Sequence, residues 1–461
     1  MSFFFSVLSL EVIGFFFMLM IVKRRRYPCP IAELASLSYF LGMGFGVYFL
    51  MLYHFAGLAF TFAHVVSIPV VMAILTAAYY FSRPERGREL APEARWKRWN
   101  LAEWLLALGV LAQLVWIVFL VIPVPVSSHD AVANYALKAK IFYFAGGIPA
   151  GYPAWNEATV AHPGYPPLLP LLMTWVYCFT TFDDLVVKML MPVIYLAFIV
   201  LFYSQMKRFF TRAYAMLAVF LLATIPQLAD YATRMYADLI LAAFITCAVG
   251  YFMLYVREMK SVYMVLAALL MAFSLWVKNE AIVFTGVFAI CSIVLCKKTR
   301  PSLKQRAFRD TVMALLVMAA IAAPWFFAKL SGGHVNSDID LARLTPERLW
   351  QNVKDIPVML NLFQQQVFGP KKWNMLWVMV FAGLIWKRKS LWKGECFYLT
   401  LFLVLSIAGY FAGYMVTTGE NLFFYVNTTL SRFMLHFCGI SLFLLAFLVY
   451  DDVKQLPSFG E

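Results

Sequence analysis

Runs of roughly twenty apolar residues recur along this chain, most of them closed at one end by a short basic cluster, and that pattern leaves few folds open. A spanning helix needs about 20 mostly apolar residues. Candidate spans lie near 3–22, 34–53, 57–81, 101–122, 185–206, 213–229, 236–256, 262–276, 281–296, 310–330, 373–386, 395–416 and 433–450. The chain is 63% hydrophobic and 13% charged, where soluble domains carry about 25% charge, so lipid must be the solvent for most of its surface. The expectation is an all-α, polytopic integral membrane protein with about thirteen transmembrane helices. The first run is followed by Lys23-Arg24-Arg25-Arg26 with no basic segment before it, and reads as a retained helix rather than a signal peptide.

The formal charge of +14 does not point to nucleic acid, because the basic residues sit in short clusters between apolar runs. One further run, 166–180, decides the topology. If it crosses, the basic segments 207–212 and 297–309 face outward. If it does not, roughly two thirds of the 38 Lys and Arg fall on one side, as the positive-inside rule requires. It is short and flanked by Pro163, Pro166, Pro167 and Pro170, and we read it as a helix at the outer interface. The N-terminus is then outside and the C-terminus inside. The outer face collects the loop 124–165, Asp183-Asp184, the stretch 230–238, Lys278-Asn279-Glu280, the loop 331–372 and the stretch 417–432.

Those outer segments hold the residues able to carry chemistry. In Ser128-His129-Asp130-Ala131, a carboxylate beside His129 can act as general base. A helix there would set Asp130, Asn134 and Lys138 on one face, and Lys138 or Lys140 can meet a phosphate. An ordinary capped loop helix explains the same residues equally well. Arg234 and Asp238 flank the start of a span, where ionisable groups are costly, although Asp238 also suits a helix N-terminus. Lys278-Asn279-Glu280 fits a plain hairpin turn with a Lys–Glu pair more readily than a site. Arg432 can bind phosphate or snorkel. His162-Pro163-Gly164-Tyr165-Pro166-Pro167 is a rigid turn, and Asp183-Asp184 suits a helix cap. His54, His64, His334 and His436 show no metal spacing and are expected to be structural. The seven cysteines form no CxxC, and there is no P-loop, Rossmann fingerprint or nucleophile elbow.

In this order, the pieces resemble the GT-C superfamily of membrane glycosyltransferases, above all bacterial relatives of protein O-mannosyltransferases and of the aminoarabinose transferases that modify lipid A. The likeness rests on Ser128-His129-Asp130-Ala131, on His162-Pro163 with Tyr165-Pro166-Pro167-Leu168, on Tyr236-Ala237-Asp238, on Trp276-Val277-Lys278-Asn279-Glu280 and, more loosely, on Ser431-Arg432. It implies transfer of a sugar from a polyprenyl-phosphate carrier to a hydroxyl of a cell-envelope glycan, lipid or protein, on the outer face of a bacterial inner membrane. Asp130 and Asp238 would be the catalytic carboxylates. His129, Asn134, Lys138, His162, Tyr165, Arg234, Lys278, Glu280 and Arg432 would bind substrate. No cofactor or metal is called for. The chain departs from the pattern in having Ala131 where many relatives have a second acid, and His162 where aminoarabinose transferases have a phosphate-binding lysine. The expected organisation is three leading helices over 1–100, a catalytic module over 101–300 and C-terminal helices over 301–461. The rival readings are a transporter or flippase for lipid-linked sugars and a non-catalytic scaffold of the same fold; the clustering of charges at one surface, without an internal repeat, favours an enzyme.

Overall fold

A computed structural model describes residues 2–25, 29–82, 98–150, 152, 155, 160–331, 345–416 and 422–455. The basic segment 83–97 and His334 lie outside the described residues. The described residues are almost entirely helical and contain no strand. Helices α1 (Ser2–Arg25), α2 (Ile31–Phe55), α3 (Phe62–Ser82) and α4 (Leu101–Val121) are followed by a π-helical turn, Ala131–Ala136, that runs into α5 (Leu137–Phe144). Next come α6 (Leu168–Thr180), α7 (Asp184–Lys188), α8 (Leu190–Phe209), α9 (Arg212–Ala223) and α10 (Pro226–Tyr231). Then α11 (Ala237–Glu258), α12 (Ser261–Ser274), α13 (Ala281–Lys298) and α14 (Pro301–Ser331) precede α15 (Pro346–Lys354) and α16 (Ile356–Val367). The chain ends with α17 (Pro370–Trp373), α18 (Leu376–Trp386), α19 (Gly394–Met415) and α20 (Leu422–Gln455).

Among the described residues, ten helices are long and apolar enough to cross a membrane. The other three expected spans, near 213–229, 262–276 and 373–386, are the shorter apolar helices α9, α12 and α18. The architecture is all-α and multi-pass, as expected. Two compact units form: residues 1–220, 232–236 and 321–332 make the first, and residues 221–231, 237–320 and 333–461 the second.

In the first unit α1 and α2 meet backbone to backbone. A Cβ on Gly14 would strike the carbonyl of Ser38, and one on Gly42 that of Leu10. Small residues allow this approach where lipid gives no hydrophobic drive for helices to associate. The helix α6 starts after Pro167 and has its first ten residues buried, against α1, α2 and α5 among others. Helices α3 and α4 instead turn most of their side chains outward, as lipid-facing spans must: Trp104, Leu105, Leu108, Leu111, Val115 and Phe119 are exposed.

Two ion pairs in this unit bear on the crossing of 166–180. Arg208, at the end of α8, donates through Nε and Nη2 to Oε2 of Glu33, at the start of α2, at 3.1 and 2.6 Å. Arg212 clamps both oxygens of Glu103 at 2.7 and 2.6 Å, while Glu103 also closes a capping box with Asn100 at the start of α4. Between Glu33 and Arg208 the chain crosses through α2, α3, α4 and α8. Four crossings return it to the same side, and a fifth through α6 would set these two charges a bilayer apart. With α2, α3, α4 and α8 as the crossings, the contact is met when α6 stays on one side.

In the second unit α11 is the axis. It is apolar all round and buried from Ala237 to Tyr255, packed on α12, α19 and α20. Its C-terminal end meets the start of α14, where buried Asp310 accepts from Ser261 Oγ at 2.6 Å and Tyr255 OH at 3.2 Å and pairs with Arg309. Gly439 of α20 lies against Thr246 of α11 with no room for a Cβ.

Single-cysteine variants test the crossing count. Ala56→Cys and Lys207→Cys, in a cysteine-free background, are separated by α3, α4 and α8. A membrane-impermeant maleimide should label them from opposite sides of sealed vesicles; labelling from one side would restore α6 as a crossing.

Candidate active site

Unit by unit, the structure gathers the residues singled out by sequence into two groups. In the first unit the loop after α4 descends into the π-helical turn, whose i→i+5 bonding shifts the register that would have stacked Asp130, Asn134 and Lys138 as an α-helix. Asp130 remains partly exposed, with His129 Nδ1 3.4 Å from its Oδ1 and His129 itself open to solvent. Asn134 and Lys138 are buried. Lys188, which the sequence reading passed over, donates to the carbonyl of Val124 at 3.0 Å and pins the loop that leads to Asp130. Asp183 caps α7 through Leu185 and Val186, as its position suggested.

The ammonium of Lys138 reaches the turn that follows 24 residues later. It donates to the carbonyl of His162 at 2.6 Å and lies 5.6 Å from the ring centroid of Tyr165. The His162 ring stacks on Tyr165 at 4.5 Å. His162 holds a left-handed backbone, φ 47°, which costs a non-glycine residue energy and recurs at functional sites. Burial pushes the Lys138 ammonium down to about 7.

The second group lies in the second unit, at the N-terminal end of α11. Asp238 is buried, and Lys278 Nζ donates to its Oδ1 at 3.0 Å. The same ammonium stands 3.0 Å from Glu280, so the hairpin turn read from sequence is present and is also tied to Asp238. Arg432 adds a positive charge that the Asp238 carboxylate feels. Four residues on, His436 is fully buried, with Nε2 3.4 Å from Asp238 Oδ1 and Nδ1 2.8 Å from the hydroxyl of Tyr410. Nδ1 shares a hydrogen bond with the Tyr410 hydroxyl, and Nε2 faces the Asp238 carboxylate. His436 was expected to be structural; it joins this group because i and i+4 on α20 present Arg432 and His436 to the same end of α11. A lone histidine and a lone tyrosine inside apolar runs were the available signals. Arg234 belongs to the first unit and is half-buried.

Residues 162–327 match the family model described as dolichyl-phosphate-mannose-protein mannosyltransferase. The match bears out the resemblance to GT-C membrane glycosyltransferases over that segment, and what it supports is a membrane glycosyltransferase of the GT-C type. It takes in His162, Tyr165, Arg234, Asp238, Lys278 and Glu280, and leaves out Asp130, Lys138 and Arg432. No curated protein and no solved structure gives a match.

Two outcomes follow from this geometry. Lys278→Ala leaves Asp238 and Glu280 without their shared cation, and removing one partner of a buried pair costs about 3–5 kcal/mol. Unfolding in mixed micelles should show that loss, and Asp238→Asn with Lys278→Met should recover most of it. Lys138 titrates at about 7 folded against its ordinary 10.5 unfolded. Between those values the unfolded chain binds the extra proton, so the destabilisation is complete below about pH 7 and fades as pH rises. Lys138→Met should therefore raise the thermal midpoint more at pH 6 than at pH 9.

Proposed function

We propose that this protein moves a sugar from a polyprenyl-phosphate carrier to a hydroxyl of a cell-envelope glycan, lipid or protein, at the outer face of a bacterial inner membrane. The observation that carries the reading is the buried Asp238–Lys278 pair, which lies inside the family-matched segment and at the end of the most enclosed span. Paired charges in a membrane helix bundle mark substrate or ion sites by default. The exposure of Asp130 supports giving it the base role, because a base must reach the proton it takes.

In this scheme the acceptor oxygen attacks the anomeric carbon and passes its proton to Asp130. The new carbon–oxygen bond forms as the bond to the carrier phosphate breaks, with inversion, and the phosphate leaves with the bonding electrons. Lys138, beside the His162–Tyr165 turn, meets that phosphate. Binding an anion raises the lysine's proton affinity, so the partly neutral Lys138 of the free protein charges as the donor enters. Asp238, oriented by Lys278 and His436, aligns a sugar or acceptor hydroxyl. Tyr410 and His436 are positioning residues behind it.

The test is sugar transfer by the purified protein in nanodiscs, with radiolabelled polyprenyl-phosphate sugars and envelope glycolipid extracts. Asp130→Asn should lower transfer at least about a hundredfold, the lower bound for losing a positioned general base, while carrier binding persists. Equal transfer by both proteins removes Asp130 from the mechanism. Carrier movement between leaflets without transfer by the wild type replaces the enzyme with a flippase.

A further inference from the structure

A second site lies in the second unit, among α15, α16 and the first residues of α20. A cavity of about 380 Å³ opens there, lined by Arg348, Gln351, Asn352 and Asp355 on one wall. Val358, Met359, Leu362, Leu422 and Phe423 form the other wall. That volume is within the range of small-molecule sites, roughly 300–1,000 Å³. None of these residues belongs to the Asp238 group.

The polar wall follows from helix spacing. Arg348, Gln351, Asn352 and Asp355 fall at i, i+3, i+4 and i+7, one face of the helix that Thr345 caps and Pro346 starts. The amphipathicity of α15 is inverted relative to a soluble protein. Its apolar residues Leu349, Trp350 and Val353 are exposed, Trp350 at 61%, whereas Asn352 is buried at 1%. Val358, Leu360, Phe423 and Phe424 are exposed beside them. A helix that turns tryptophan and leucine outward and buries Asn352 suits the membrane interface, with lipid outside and the cavity behind it.

One donor of the chamber is unmet. Arg348 Nε is shielded from solvent and has no hydrogen-bond partner, an arrangement that costs about 1–3 kcal/mol unless a ligand supplies an acceptor. Among the described residues, no ion pair joins Arg348 to Asp355, although both line the cavity. A guanidinium offers only donors and a carboxylate only acceptors. A hydroxyl satisfies both, accepting from Arg348 and donating to Asp355. A phosphate has only acceptors to give, and Asp355 would repel it.

We propose that this cavity takes the hydroxyl-rich sugar head of a membrane-borne amphiphile whose tail leaves along the apolar wall into lipid. Its preference for a sugar head over an anionic one does not rest on the transferase reading above.

Equilibrium binding to the full chain in nanodiscs would be measured with three probes of equal tail length: an octyl glucoside, an octyl phosphate and an octyl dimethylamine oxide. The glucoside is expected to bind most tightly. Arg348→Ala and Asp355→Asn should each weaken it about tenfold, the size of one charge-assisted hydrogen bond, at an unchanged thermal midpoint. A diazirine on the glucoside should crosslink to α15, α16 or the start of α20. Equal binding of all three probes means an apolar crevice that takes any detergent, and preference for the phosphate means an anion site; either overturns the proposal.

Discussion

In hydrocarbon no water solvates a carboxylate, so Glu33, Glu103, Asp238 and Asp310 each stand beside a cation. Because each partner comes from a different part of the chain or from a helix end, these pairs bind helix ends to helix ends. Arg208 on Glu33 and Arg212 on Glu103 fasten α8 and α9 to α2 and α4. Asp310 fastens the start of α14 to Ser261, at the start of α12, and to Tyr255, near the end of α11. The apolar lengths between them then have little freedom in where they begin and end.

Asp130 and Asp238 differ in a way that bears on their proposed roles. Asp238 is enclosed and already engaged by Lys278, with His436 facing it and Tyr410 behind, so its geometry is fixed before any substrate arrives. Asp130 caps a π-helical turn and is partly open, with the exposed His129 beside it. A group that orients benefits from rigidity, while a base needs access to the atom it deprotonates. Lys138 stands between these extremes: it is buried and held by one carbonyl and a ring face, which makes its charge sensitive to an arriving anion.

The apolar runs and their basic ends were legible because lipid imposes one length on every crossing segment and retains positive charge on one side. Asp130, Asp238, Lys278 and Arg432 were legible as residues too polar for their surroundings. His436 was not, since a single histidine in an apolar run carries no spacing, and only the packing of α20 on α11 brings it to Asp238. Lys188 was hidden for the same reason, its partners lying 63 and 64 residues away in the chain. The expected α-helical stripe from Asp130 to Lys138 is interrupted by a π turn, a change of one hydrogen-bond step that residue spacing does not register.

The sequence by itself determined the solvent, the helical class and the positions of nearly all the spans, because each of these depends on local composition against a fixed bilayer thickness. It also proposed that 166–180 stays on one side, from charge balance alone. Tertiary structure agrees with that reading through a 2.6 Å contact, with α2, α3, α4 and α8 as the four crossings. It also decided which polar residues meet. Contacts such as Lys138 with His162, Lys278 with Asp238 and Tyr410 with His436 depend on helix rotation and on packing between distant segments, and no local pattern in the chain encodes them.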